Sequence, residues 1–410
     1  MRALLVTPYY RPAHLGGIER AIERLATALG RQDGMERPAV LCTRYAFPPR
    51  YVDGLAAREL TPERPEIFRL SSWPRRPLPL FPYYSCPVTL FSSRAVERVL
   101  RDDRPDVVHL VGDGWVWAHL TILARRAPRT AVVFTPSFHD LAGSRRWLRW
   151  PNTLVARQAE RTVVLSGHEW RGVATAYRPR RDHLARIPWG AEVPDALPAR
   201  RAPDKASDGA SGEEPDGALT LLCVGRLGEH KGQAWLLDVY LRARPHFKRR
   251  ARLVLVGADE GDVGGRDALA RRIATHGLED EVVLTGEVDD AELGRLYGAA
   301  DLFVLFSRYE AFGLVYVEAM AYGVPVLTHD VGAVSEALTG GAVIVPPYDE
   351  PAATRALVRL VDDAEALSRL GVEARALVEN AYSWDAVAAR YRQVYEEAIH
   401  ERRRTTGTNA

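Results

Sequence analysis

The chain has 410 residues, 47% hydrophobic and 26% charged, a balance that points to a folded, water-soluble protein of two domains. A net charge of +2 supplies no global field for nucleic acid, and no run approaches the roughly 18 apolar residues that span a bilayer. Cys42, Cys86 and Cys223 are odd in number and lack metal-ligand spacing, and MRALLVTPYYRP is too short in its apolar part for a signal sequence, so a cytoplasmic protein is expected.

The first strand expected is ALLVT (3–7), followed by Ile18, Ile22, Leu25 and Leu29 at helical spacing. AVLCT (39–43), DVVHLVG (106–112), TAVVFT (130–135) and RTVVLS (161–166) extend the strand series. Nine prolines between 47 and 87 argue against regular helix or central strand, so that stretch reads as a long surface excursion. His109 alternates within DVVHLVG and reads as a satisfied histidine of the core or the cleft edge. SRRWLRWPN (144–152) mixes arginine with tryptophan and reads as a solvated loop in preference to a face for an anionic membrane.

Residues 199–218 are polar, rich in Gly, Pro, Ser and Asp, and aperiodic, the pattern of a linker or flexible loop. The strand–helix rhythm then restarts with LTLLCVG (219–225), QAWLLDVYLRA (233–243), RLVLVG (252–257) and a helix at 266–275. VVLTG (282–286), a helix at 290–299, DLFVLFS (301–307), VPVLTHD (324–330), AVIVPP (342–347) and helical sequence to about 401 complete it. Apolar strands alternating with amphipathic helices imply parallel sheets covered on both faces. The expected architecture is therefore α/β: two doubly wound Rossmann-like domains, 1–198 and 219–385, facing across a cleft with ligands at the strands' carboxyl ends.

Two loops carry chemistry. GRLGEHKG (225–232) lies between an apolar strand and a helix, where free amides favour an anion, and Arg226 and Lys231 add two positive charges. Only Lys205, Lys231 and Lys248 among 55 basic residues are lysine, an arginine bias that suggests a GC-rich bacterial source and singles out Lys231. Glu310 and Glu318 bracket an otherwise apolar segment, with the helix expected over Phe312–Tyr322. Near one helix mouth the two carboxylates suit the vicinal hydroxyls of a sugar or ribose; as a helix cap and a solvent-facing residue they carry no chemistry at all.

GRLGEHKG, EAFGLVYVEAMAYGVPV and HLGGIE, with Trp384-Asp385 before a tyrosine-rich last helix, resemble the retaining glycosyltransferases of family 4, which have the GT-B fold. The resemblance is strong over 219–347 and weak over 45–105. It implies that 386–410 crosses back to the N-terminal domain, which takes the acceptor, while the C-terminal domain takes a nucleotide-sugar donor. It implies that Arg226 and Lys231 hold the diphosphate, that Glu318 grips the ribose, and that Glu310 contacts the donor sugar near the reacting carbon. The amides of Phe312, Gly313 and Leu314 would meet sugar and diphosphate, Gly16 and Gly17 would close over the phosphates, and the base would lie near Gly286 and Val288. His139 in TPSFHD would stand near the sugar, although relatives often read Thr-Pro-His where this chain has Ser137.

No Asp-x-Asp pair is present to hold a cation against a diphosphate, so a reaction without metal or other cofactor is expected. Arg226, Lys231 and helix-start amides would then meet the leaving group's charge. Glu310 is the one carboxylate to weigh as a nucleophile, whereas the resemblance favours attack from the leaving group's own face with retention. The expected partners are a nucleotide-diphosphate sugar and a small-molecule or glycan acceptor, with no nucleic acid and a membrane surface as the less favoured option. The alternatives are a GT-B sugar-nucleotide epimerase, a phosphorylase, which would need a pyridoxal-bearing lysine, and a non-catalytic nucleotide-sugar-binding subunit.

Overall fold

The computed structural model describes residues 1–10, 17–46, 50–61, 64–73, 90–91, 93–112, 116–137, 149–197, 218–259 and 264–407. The expected linker at 199–218, Gly16 and His139 therefore lie, wholly or nearly so, outside the described residues. The chain divides into two compact units, Met1–Gly190 with Trp384–Ala410, and Ala191–Ser383.

In the first unit β1 (Ala3–Val6) leads to α1 (Gly17–Leu29) and β2 (Ala39–Thr43). Short pairs follow, β3 (Tyr45–Ala46) with β4 (Arg50–Tyr51), β5 (Arg58–Glu59) with β6 (Glu66–Leu70), and β7 (Ser72–Trp73) with β8 (Leu90–Phe91). Then come α2 (Ser93–Asp103), β9 (Val107–Val111), α3 (Val116–Arg125), β10 (Ala131–Thr135), α4 (Arg149–Gln158), β11 (Arg161–Val164), α5 (Gly167–Ala176) and β12 (Leu184–Arg186). Eight strands form one sheet in the order β12-β11-β10-β9-β1-β2-β6-β5, parallel except for β5. Its central strands are buried along their whole length, as their unbroken apolar runs require when helices cover both faces.

Two local readings need correction here. Within the proline-rich stretch, Glu66–Leu70 is a buried strand paired in parallel with β2. It occupies the proline-free interval between Pro65 and Pro74, and its charges hid its apolar character. Those charges are neutralised inside: Glu66 accepts from Arg2 at 2.8 Å and Arg58 at 2.5 Å, and Arg69 donates to Glu59 at 2.7 Å. Arg149–Asn152 is not loop but the first turn of α4, with Pro151 and Asn152 buried.

The last helix, α13 (Trp384–Thr406), belongs to this first unit. It buries Val387, Tyr391, Val394, Tyr395 and Ala398 at helical spacing. His109, fully buried on β9, shares a 2.8 Å hydrogen bond with the Tyr395 hydroxyl and a 2.7 Å one with Thr135 Oγ1. Burial lowers its pKa to about 3, so it is a neutral, satisfied core histidine that latches α13 to the sheet. Arg161–Glu401 at 2.7 Å and Arg402–Glu160 at 3.3 Å extend the attachment.

The second unit runs β13 (Leu219–Val224), α6 (Gln233–Ala243), β14 (Ala251–Val256), α7 (Arg266–Thr275), β15 (Val282–Gly286), α8 (Asp290–Ala299) and β16 (Leu302–Val304). It continues with α9 (Leu314–Ala321), β17 (Val326–His329), α10 (Val334–Ala337), β18 (Ala342–Val345), α11 (Glu350–Asp362) and α12 (Ala364–Leu377). The six parallel strands take the order β15-β14-β13-β16-β17-β18. The chain steps outward from β13 through β15, then returns to the other side of β13 as β16. That reversal makes the carboxyl ends of β13 and β16 the sheet's topological switch point, the position where doubly wound sheets take ligands.

Candidate functional site

The loops after β13 and β16 meet at this switch point. GRLGEHKG leaves β13 at Gly225 and makes a tight 3-10 turn over Glu229–Lys231 before α6. Gly232 has φ +70°, and a Cβ there would stand 2.1 Å from the Phe306 carbonyl oxygen, so only glycine lets this loop lie against the β16 loop. The buried Gln233 amide donates to the carbonyls of Gly225 at 3.2 Å and Arg226 at 3.0 Å, holding the loop from below. The Arg308 N–H donates to the His230 carbonyl at 2.8 Å and stitches the two loops together.

That packing brings Lys231 Nζ to 2.7 Å from Glu310 Oε1. The Ser307 hydroxyl donates to the same oxygen at 2.7 Å. Among the described residues no hydrogen bond reaches Glu310 Oε2. The Glu310 side chain is 9% exposed and that of Lys231 18%. Burial pushes the Glu310 carboxyl up, but the Lys231 charge and the Lys231 and Ser307 donors outweigh it and hold the pKa below 4.5. The site therefore contains a buried, ionised carboxylate locked to a lysine.

Residue spacing does not reveal this contact. Lys231 and Glu310 are read separately, as a phosphate ligand and a sugar ligand, yet the structure joins them. Arg226 is half-buried in the same loop. Gly313 has φ +86° and caps α9, which starts at Leu314 rather than at Phe312. Phe312 is buried against Tyr382 with ring centroids 5.5 Å apart. Glu318 lies on α9 and accepts from the Tyr297 hydroxyl of α8 at 3.0 Å, so the two glutamates have separate partners. Gly286 ends β15, where its carbonyl accepts from Gly257 at 2.9 Å, and Val288 follows it half-buried. Gly17 opens α1 in the first unit.

Two polar residues at the same strand ends escape a reading by motif. Ser307 follows β16 and binds Glu310, and His329 closes β17, where its Nε2 lies 2.7 Å from the Ser307 carbonyl.

Two doubly wound units, one with basic and acidic groups joined at its switch point, have the GT-B architecture. The family described as glycosyl transferases group 1 matches residues 204–377, and the glycosyl transferase 4-like domain matches residues 16–190. The chain belongs to this glycosyltransferase family. D-inositol 3-phosphate glycosyltransferase of Nocardia farcinica is 32% identical over 60% of this chain and 54% of its own. Alpha-D-kanosaminyltransferase of Streptomyces kanamyceticus is 32% identical over 43% of this chain and 45% of its own. The chain spans about half the length of the curated relatives it matches. Among solved structures, sucrose-phosphate synthase from Thermosynechococcus elongatus superposes with a TM-score of 0.77 at 20% identity, covering 98% of this chain and 99% of that one. Anabaena HepE in complex with UDP-glucose has a TM-score of 0.69 at 18% identity, covering 97% and 99%. Among the described residues no helix is long and apolar enough to cross a membrane.

Proposed function

We propose that the protein is a retaining glycosyltransferase that moves a sugar from a nucleotide-diphosphate sugar to an acceptor hydroxyl, acting in the cytoplasm without a metal. The observation that carries this is the Lys231–Glu310 pair at the switch point of the second sheet, beside the anion-binding loop of Arg226. The UDP and UDP-glucose complexes of HepE are in keeping with such a donor. The diphosphate lies on Arg226, Lys231 and the α9 amides, which stabilise the departing charge without reorganisation. Glu310 offers Oε2 to the donor sugar, while Glu318 and the Gly286–Val288 segment take ribose and base. The acceptor's proton passes to a diphosphate oxygen as the new bond forms on the leaving group's face. The N-terminal domain, to which Gly16, Gly17 and His139 belong, takes the acceptor.

The test is calorimetric titration of UDP, GDP, ADP and TDP, followed by their sugars. One diphosphate should bind far more tightly than its nucleoside, and its sugar should be hydrolysed or transferred with the anomeric configuration kept, in excess EDTA. A protein that binds none of the four, or that releases an inverted product, refutes the proposal.

A further inference from the structure

Glu310 is useful only if its carboxylate stays in one orientation, and the structure accounts for that orientation through two residues outside the motifs. His329 is buried at the end of β17, the strand beside β16. Its Nδ1 accepts from the Tyr348 N–H at 3.3 Å, so the ring carries its proton on Nε2 and donates it to the Ser307 carbonyl at 2.7 Å. Phe306, Trp235 and Tyr348 surround the ring, with centroids 5.5, 5.6 and 5.0 Å away, and block its rotation. Ser307 is thereby held by its carbonyl, and its hydroxyl holds Glu310 Oε1. The Glu310 carbonyl accepts from the Ala333 N–H at 3.0 Å, which fixes the backbone on the far side.

We infer that Ser307 and His329 are positioning residues of the donor site: His329 fixes Ser307, Ser307 fixes the Glu310 carboxylate, and the carboxylate fixes Lys231. The inference rests on reading Lys231 and Glu310 as ligands of the nucleotide sugar. Both donors land on Oε1, so the arrangement decides which oxygen faces a substrate as well as where the ammonium stands. Displacing reacting groups by about 1 Å costs on the order of a hundredfold in rate, so a two-bond relay of this kind has measurable value.

Lysine labelling provides a readout that needs no transfer reaction. Lys231 is one of three lysines, and exposed Lys248 serves as the internal reference in peptide mass spectrometry. In Ser307→Ala, Lys231 should be acylated several-fold faster relative to Lys248, because its partner is no longer held. At saturating donor, turnover should fall about tenfold or more, the size of one charge-assisted hydrogen bond, with the donor KM changed less than about threefold. His329→Gln retains an amide donor and should stay near the parent in both readouts, whereas His329→Leu should resemble Ser307→Ala. The double variant should lose no more than the worse single one, since the two residues act in series. Ser307→Ala is a small change, and a melt of each variant identifies any that unfold. Unchanged Lys231 labelling in folded Ser307→Ala, or losses that multiply in the double variant, overturns the inference. If the parent transfers no sugar, the donor reading fails, while the labelling comparison still decides whether Ser307 positions Lys231.

Discussion

Replacing Lys231 with methionine keeps the side chain out to the ε position, removes its charged end, and leaves the Glu310 carboxylate buried with the Ser307 hydroxyl as its remaining side-chain donor. Breaking a buried ion pair from one side costs roughly 3–5 kcal/mol, because the other charge is left without a counterion. Lys231 retains 18% exposure, which places the expected cost near the lower end, at about 3 kcal/mol. For a unit of this size that corresponds to a melting temperature lower by about 6–12 °C. Removing the stranded charge should undo much of the damage, so Lys231→Met/Glu310→Gln should melt well above Lys231→Met alone. The pH dependence should also reverse. In the parent, Glu310 is held below its usual pKa of 4.5, so its stabilisation is present above 4.5 and lost as pH falls through the depressed folded value. In Lys231→Met burial dominates and raises the carboxyl, so stability declines as pH rises above 4.5 and through the raised folded value. The gap between parent and variant should therefore narrow as pH falls from neutrality toward 4.5. Calorimetric melts of the parent and the variants across that range decide the matter. Equal melting of Lys231→Met and the double variant, or a gap independent of pH, would refute the buried ion pair.

Arg226→Ala should weaken nucleotide diphosphate binding about tenfold while leaving nucleoside affinity unchanged, as titration of the two ligands would reveal. Glu318→Gln should mainly raise the donor KM and weaken free nucleotide by the same factor, the signature of lost uniform binding, whereas Glu310→Gln should mainly lower turnover. Transfer should continue in excess EDTA, and a loss restored by magnesium would assign the diphosphate charge to a cation. In the first unit, His109 has its folded pKa depressed to about 3, so the stability it contributes is present above 6.5 and declines as pH falls toward 3. His109→Phe should flatten that decline in an acid titration of the full chain followed by tryptophan fluorescence, to which Trp189, stacked on Tyr391 of α13, contributes.

The strands of each half in chain order, the helices that alternate with them and the positions of the GRLGEHKG and glutamate loops at strand ends were legible along the chain, because apolar runs, helical spacing and loop charges are local properties. The strand at Glu66–Leu70 was not, since its charges become compatible with burial only when Arg2, Arg58 and Glu59 arrive from elsewhere. The same limit applies to the site. Motifs placed Lys231 and Glu310 on separate parts of a ligand, whereas the sheet's reversal at β13 and β16 brings residues 79 positions apart into one ion pair. His109 and Tyr395 meet across 286 positions because α13 packs back on the first sheet. Ser307 and His329 look like unremarkable strand endings until β16 and β17 pair side by side. A side chain's chemistry is written at its own position, but its pKa, its partner and its orientation depend on groups that only the folded sheet brings within hydrogen-bonding distance.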